Sequence, residues 1–238
     1  MVVSETLKAT VRRALVEQTQ DPRADLRARI AAGLALGELG DPRFARRDGP
    51  YGTYLLPPLI EIPGGTYYLG SDEGLDADEA PVHSVVLAPF ALGQFPVTNA
   101  EWFWFMQTGG YEEERWWDTE EARAWQRGEG TAEGPKQQWR EIRKSFQDHL
   151  DRISALHLQG RLTLKQAEDW EVMARMSDED FEALLDERYP AGLQTQPDRW
   201  NDDAYKNPTQ PVVGICWFEA RAYCVWLSAQ TGQLVTAP

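Results

Sequence analysis

Pro96-Val97-Thr98-Asn99-Ala100-Glu101-Trp102-Phe103-Trp104-Phe105-Met106 marks a change from extended chain to helix, and the fold reading turns on it. Thr98 or Asn99 offers a side-chain oxygen to the unbonded amides of a first helical turn, ahead of an aromatic helix from Trp102 to Met106. A related pattern returns much later. Pro211-Val212-Val213-Gly214-Ile215 predicts a short strand, Trp217 to Thr231 a helix, and Gly232 its stop.

Working back from Pro96, Phe90 to Phe95 reads as a strand. Pro81 to Pro89 reads as a half-buried one, with Val82, Ser84 and Val86 alternating. An acidic loop, Ser71 to Glu79, precedes them. Leu59-Ile60-Glu61-Ile62 and Thr66-Tyr67-Tyr68-Leu69 predict two short strands around the Pro63-Gly64-Gly65 turn. Residues 47–58, rich in Gly and Pro, read as a linker. Ahead of it, residues 1–46 predict a helix pair. Leu7, Val11 and Leu15 stripe the first helix, and Leu26, Ile30 and Leu34 stripe the second. Asp21-Pro22 is the expected N-cap of the second helix, and Gly40-Asp41-Pro42 its stop.

Between the two aromatic blocks the chain changes character. Residues of about 135–190 are highly charged and predict three helices, with Ile142, Phe146, Leu150 and Ile153 as one apolar stripe. Thr163 with Gln166 makes a capping box, and Ser177 with Asp180 an acidic variant of it. This segment is expected to be an insertion.

The composition limits the partners. The 238 residues carry 24 Lys+Arg against 38 Asp+Glu, a net charge of −14 that repels phosphate backbones and anionic lipid. No apolar run approaches the ~18 residues of a membrane span. The first residues are charged throughout, without the apolar core of a secretory signal. The expectation is a cytoplasmic protein that binds neither nucleic acid nor membrane. All ten tryptophans lie between Trp102 and Trp226, which separates a Trp-free helical prefix from an aromatic body.

Few residue sets suggest chemistry. Cys216 and Cys224 on one helix would be separated by about 12 Å of rise, too far for a disulfide, and read as small buried apolar residues. His83, His149 and His157 are the only histidines, and no Cys or carboxylate completes a ligand set with them. Asp72, Glu73, Asp76, Asp78 and Glu79 miss the alternating order of a calcium loop. Gly64 to Ser71 lacks the lysine of a phosphate cradle. Trp116-Trp117, beside Glu112 to Glu114, is the best candidate for an exposed aromatic ligand platform.

Taken in order, several of these pieces resemble the formylglycine-generating enzyme family, also called the sulfatase-modifying-factor family. They are Ile62-Pro63-Gly64-Gly65-Thr66, Leu69-Gly70-Ser71, Asp78-Glu79-Ala80-Pro81-Val82-His83, and Pro96-Val97-Thr98-Asn99 with Trp102 and Phe105. Pro211-Val212-Val213-Gly214, Trp217, Glu219-Ala220, Ala222-Tyr223-Cys224 and Trp226-Leu227 resemble the family's next block. The resemblance implies an α+β, C-type-lectin-like fold with little regular structure, over residues 59–238, carrying an N-terminal helix pair and the helical insertion. It covers roughly residues 59–110 and 205–234.

The resemblance also implies that the family's copper-binding cysteine pair and calcium sites would fall after Leu234, where this sequence shows only Val235-Thr236-Ala237-Pro238. No catalytic, metal or cofactor-binding residue therefore carries over. Calcium or copper would bind only if a further C-terminal half supplied the ligands, and a C-terminal segment could complete the fold. The iron-dependent sulfoxide-synthase branch takes its ligands from a His-rich helical domain, and the N-terminal helices here contain no His. The expectation is a non-catalytic ligand- or protein-binding module of bacterial type. It would resemble the variable proteins of diversity-generating retroelements, or sensor and defence modules. The alternatives are part of a formylglycine-generating oxidase or sulfoxide-synthase relative, and a structural docking protein.

Overall fold

The computed structural model describes residues 5–74 and 79–237. Asp76 and Asp78 of the acidic loop lie outside the described residues. The chain divides into two compact units. The first joins residues up to Gly110 with those from Gln196 onward, and the second is Tyr111–Thr195. The secondary structure is mixed, 49% helix and 13% strand, which fits α+β but not the expected scarcity of regular structure.

The first unit opens with an antiparallel helix pair, α1 (Glu5–Gln20) and α2 (Leu26–Leu39). The cap of α2 is Asp25 rather than Asp21. Asp25 Oδ1 accepts from the amides of Arg27 at 2.9 Å and Ala28 at 3.4 Å, whereas Asp21-Pro22 sits in the connecting turn. The small inner face of α2 lies against the Asn207–Thr209 loop. Asn207 Nδ2 donates to Leu34 O at 3.1 Å and Thr209 Oγ1 donates to Gly33 O at 2.8 Å. A Cβ on Gly37 would collide with the Asn207 side chain, so glycine permits this approach.

Residues 47–58 are not a loose linker. β1 (Ala45–Gly49) and β2 (Gly52–Leu56) form a hairpin around Gly52, with Tyr54 buried. Gly52 takes a φ of 110° that the tight turn demands and L side chains avoid. The hairpin is anchored from the far end of the chain, since the Gln230 Oε1 accepts from the Tyr51 amide at 3.1 Å.

The four predicted strands all form: β3 (Leu59–Ile62), β4 (Gly65–Leu69), β5 (His83–Leu87) and β6 (Phe90–Gly93). β3 pairs antiparallel with β6, and β4 with β5, so the Pro63-Gly64 corner passes the chain from one two-stranded ribbon to the other. Val86 is 81% exposed and Val82 is exposed too; the half-buried position of that strand is Val85. Pro211 to Ile215 does not form a strand. It contributes one isolated bridge, Thr98 to Pro211, because its extended partner ends where α3 (Asn99–Gln107) begins.

The core of this unit lies between α3 and α9 (Trp217–Thr231). Trp102 stacks on Tyr223 at 5.2 Å and meets Phe105 edge-on at 5.1 Å, and Phe105 meets Trp226 at 5.6 Å. Offset and edge contacts of this kind let large rings fill a core that short strands cannot close. Trp217 is 55% exposed and does not belong to this core, although it falls in the same sequence block.

The second unit contains a 3-10 turn (Glu114–Trp116), α4 (Glu120–Gln126), α5 (Glu133–Asp148), α6 (Asp151–Leu158), α7 (Leu164–Arg175) and α8 (Asp178–Arg188). Four helices, not three, span the segment expected to be inserted, because α5 stops at His149. The predicted stripe therefore breaks, and Leu150 is exposed while Phe146 and Ile153 stay buried. The Thr163–Gln166 capping box forms as predicted, the Gln166 amide donating to the Thr163 hydroxyl at 3.2 Å, whereas Ser177 gives a one-way cap in which its hydroxyl accepts from the Asp180 amide at 3.1 Å. Trp139 stacks on Trp170 at 4.9 Å inside this unit.

Candidate functional site

Two helix starts in the first unit share one construction. At α3, the Thr98 hydroxyl donates to Glu101 Oε2 at 2.7 Å, and the Thr98 amide donates to the same oxygen at 2.8 Å. At α9, the Cys216 amide donates to Glu219 Oε2 at 2.7 Å. Both glutamates are buried. Burial pushes the Glu101 carboxyl above its ordinary value, against the two hydrogen bonds from Thr98, which favour the charged form. Both carboxylates cap the starts of their helices.

Beside the α3 start lies a depression of about 240 Å³, lined by Asp41, Arg43, Phe44, Phe95, Thr98 and Pro211 among others. Its centre is Arg43. The guanidinium grips Asp41 through Nη2 to Oδ2 at 2.5 Å and Nε to Oδ1 at 2.9 Å, and lies 4.6 Å from the centre of the Phe95 ring. Phe95 in turn stacks on Phe44 at 5.9 Å. An arginine clamped by a carboxylate and laid on an aromatic face keeps a fixed orientation with little entropy left to lose.

Arg43 also borders a second cavity of about 350 Å³, on the side of α1, with Ala9, Arg12, Arg13, Val16 and Pro42. Arg12 Nε donates to Leu39 O at 2.8 Å, at the carbonyl end of α2. Three arginines against one lining carboxylate, Asp41, make this junction cationic within a chain of net charge −14. Its chemistry is binding: guanidinium donors for an anionic group, with proline, valine and phenylalanine for an apolar body. The sequence reading missed it. Gly40-Asp41-Pro42 reads only as a helix stop, and nothing in the spacing of Arg43-Phe44 links them to Phe95 or Arg12.

Trp116 and Trp117 do not form an exposed platform. They are 3% and 0% exposed. Trp117 stacks on Trp125 at 5.4 Å and packs on Tyr111 at 6.1 Å, while Arg115 lies over Trp116. Adjacent aromatic pairs with acidic neighbours can serve either surface or core, and here packing claims them.

The cysteines are both free. Cys216 is the N-cap residue of α9, and burial pushes its thiol up to about 12; burial raises the Cys224 thiol as well. Neither is a thiolate at neutral pH. His83 Nδ1 lies 3.2 Å from Pro81 O and His157 Nδ1 3.0 Å from Leu162 O. Among the described residues, no group of three or more His, Cys, Asp or Glu could hold a metal ion. No described helix is long and apolar enough to cross a membrane.

Thr98 meets Pro211 at an isolated bridge between the two aromatic blocks, and the sequence profile of the sulfatase-modifying factor enzyme 1-like domain matches residues 52–234. The chain belongs to the sulfatase-modifying-factor family.

Relatives in that family differ in their names. Hercynine oxygenase of Mycolicibacterium smegmatis is 41% identical over 93 residues, 37% of this chain and 20% of that protein. Formylglycine-generating enzyme of Mycobacterium tuberculosis is 39% identical over 57 residues, 24% of this chain and 19% of that protein. Inactive C-alpha-formylglycine-generating enzyme 2 of Mus musculus is 27% identical over 172 residues, 71% of this chain and 42% of that protein. The chain thus spans less than half the length of each of these sulfatase-modifying-factor relatives.

Proposed function

We propose that this chain is a non-catalytic binding module on a C-type-lectin-like scaffold of the sulfatase-modifying-factor family, acting in the cytoplasm. The observation that carries the reading is the Arg43 junction. An oriented guanidinium on a phenylalanine pair, between two cavities and beside Arg12 and Arg13, is built to hold an anionic group. The capped glutamates and protonated thiols nearby are structural groups, not reactive ones. A relative carrying the name of an inactive enzyme supports the same reading. Service as a variable display protein of a retroelement, or as a sensor or defence module, is the finer form of this proposal.

Benzoate, a carboxylate on an aromatic body, is the probe. Titrated calorimetrically into the 238-residue chain, it should bind saturably, and Arg12→Gln with Arg13→Gln should weaken binding at least about tenfold. No saturable heat, or heat unchanged by the double variant, removes the junction as a site.

The hercynine oxygenase and formylglycine-generating enzyme among the relatives favour a second reading, in which the chain is part of an enzyme of that kind. Oxidation of a Cys-containing peptide by the chain supplied with copper and oxygen, or sulfoxide formation with iron, would establish it and overturn the first. A docking role for the helix pair remains compatible with either.

A further inference from the structure

The helix α2 wears its amphipathicity inside out. Its inward face is small, with Ala32, Leu36 and Gly37 buried and Gly33 and Gly37 at the Asn207–Thr209 loop. Its outward face carries Leu26, Ile30 and Leu34, which are 65%, 53% and 38% exposed. An i, i+4, i+8 stripe of large aliphatics is the pattern that a helix normally turns toward a partner. Nothing within the described chain covers it.

Two features define what would. The stripe is symmetric about Ile30: one leucine lies four residues before it and one four residues after. Read antiparallel against itself, Leu26 of one copy falls opposite Leu34 of the other, and Ile30 opposite Ile30. Isologous pairing requires such a self-complementary patch. The charges obey the same symmetry. Arg23 and Arg27 stand at the amino-terminal end of the stripe and Glu38 at the carboxyl-terminal end, all exposed. In the antiparallel arrangement the two arginines of one copy approach Glu38 of the other at both ends. Among the described residues Arg23 makes an exposed pair with Asp21, and Glu38 accepts a 3.4 Å bond from Asn207. Opposed helix dipoles favour the same orientation.

We infer that the outer face of α2 is a homodimer interface, occupied by the α2 face of a second copy of this chain across a two-fold axis at Ile30. One helix pair buries less than the ~1,600 Å² of a standard interface, so association belongs in the range of tens of micromolar or weaker. The interface is independent of the Arg43 junction and does not rest on the binding reading.

Sedimentation velocity on the full chain, from about 1 to about 500 µM, is the test. The expected result is a concentration-dependent shift from monomer to twice that mass. Ile30→Glu should remove the shift across the whole range, an affinity loss of about 100-fold or more. Circular dichroism should be unchanged, since the position is exposed. Arg23→Glu combined with Arg27→Glu should weaken the dimer about tenfold, and adding Glu38→Arg should recover it. This charge-exchange rescue separates the interface from a merely structural effect, and decides the matter if Ile30→Glu disturbs the helix. A monomer at every concentration overturns the inference. So does a dimer or larger oligomer indifferent to both Ile30→Glu and the charge exchange.

Discussion

Thr98 meets Pro211 across a single antiparallel bridge, and the Val212 amide donates to Val97 O at 2.9 Å beside it. This short contact joins two blocks separated in sequence by the whole helical unit. The stability of the aromatic core should therefore respond to changes at this seam.

Glu101 gives the seam a pH signature. Burial raises its carboxyl pKa in the folded chain above the ordinary value, so the folded form holds the proton where the unfolded form has released it. This group makes stability fall as pH rises from the ordinary carboxylate value through the raised one, and then level. Glu101→Gln keeps an acceptor for Thr98 and cannot ionise. Urea midpoints of the two proteins between about pH 4 and about pH 8 should diverge in favour of the variant as pH rises. Parallel curves would contradict the buried, capped carboxylate.

Thr98→Ala removes the hydroxyl that accepts from the Glu101 amide and donates to its carboxylate. A loss of about 1–2 kcal/mol is expected by urea denaturation, the usual range for a lost N-cap. Thr98→Ser should restore most of it.

Two glycines on α2 should behave oppositely. A Cβ at Gly37 runs into Asn207, whereas one at Gly33 meets nothing within 4 Å. Gly37→Ala should cost about 1–3 kcal/mol through overpacking. Gly33→Ala should stabilise the chain by up to about 1 kcal/mol through helix propensity. Thermal melts of the two variants check the sign of each.

Arg143 is the pin of the helical unit. Its guanidinium donates to Met173 O at 3.0 Å, Met176 O at 2.5 Å and Asp178 Oδ1 at 2.7 Å, and it lies 4.5 Å from the Phe181 ring centre. Arg143→Ala leaves two carbonyls without a donor and should cost about 3–5 kcal/mol. Hydrogen exchange should rise first in α7 and α8. Lysine cannot reproduce the forked geometry, so Arg143→Lys should recover little.

The thiols should be inert in the native chain. With Cys216 pushed up to about 12 and Cys224 raised by burial, iodoacetamide labelling at neutral pH should be slow, and fast only after unfolding. Rapid native labelling of either would place it in a different environment.

Much of this architecture is legible from local signals. The four ribbon strands, the Thr163 and Ser177 caps and the Gly232 stop all follow from spacing and capping chemistry, which act within a few residues. The failures share a cause. Pro211 to Ile215 has strand composition, but a strand needs an extended partner, and the facing chain at Val97 and Thr98 turns at once into α3. Trp117 and Trp217 have the same side chain, yet one is sealed and the other exposed, because burial is decided by distant neighbours. The Arg43 junction was invisible for the same reason: its parts come from α1, the Asp41 turn, Phe95 and Pro211, and no local pattern announces such a meeting.

The interruption of the first unit by Tyr111–Thr195 bears on how the chain is made. Trp102 emerges from the ribosome about 120 residues before Tyr223, its stacking partner, so that half of the core waits about 6–24 s for the other. During that interval the inserted helices, whose contacts are local, can complete their own packing. The aromatic face of α3 is left uncovered until Tyr223 and Trp226 arrive. Birth order thus makes the insertion the first finished part of the protein, and Trp102 with Phe105 the surface most in need of protection while translation continues.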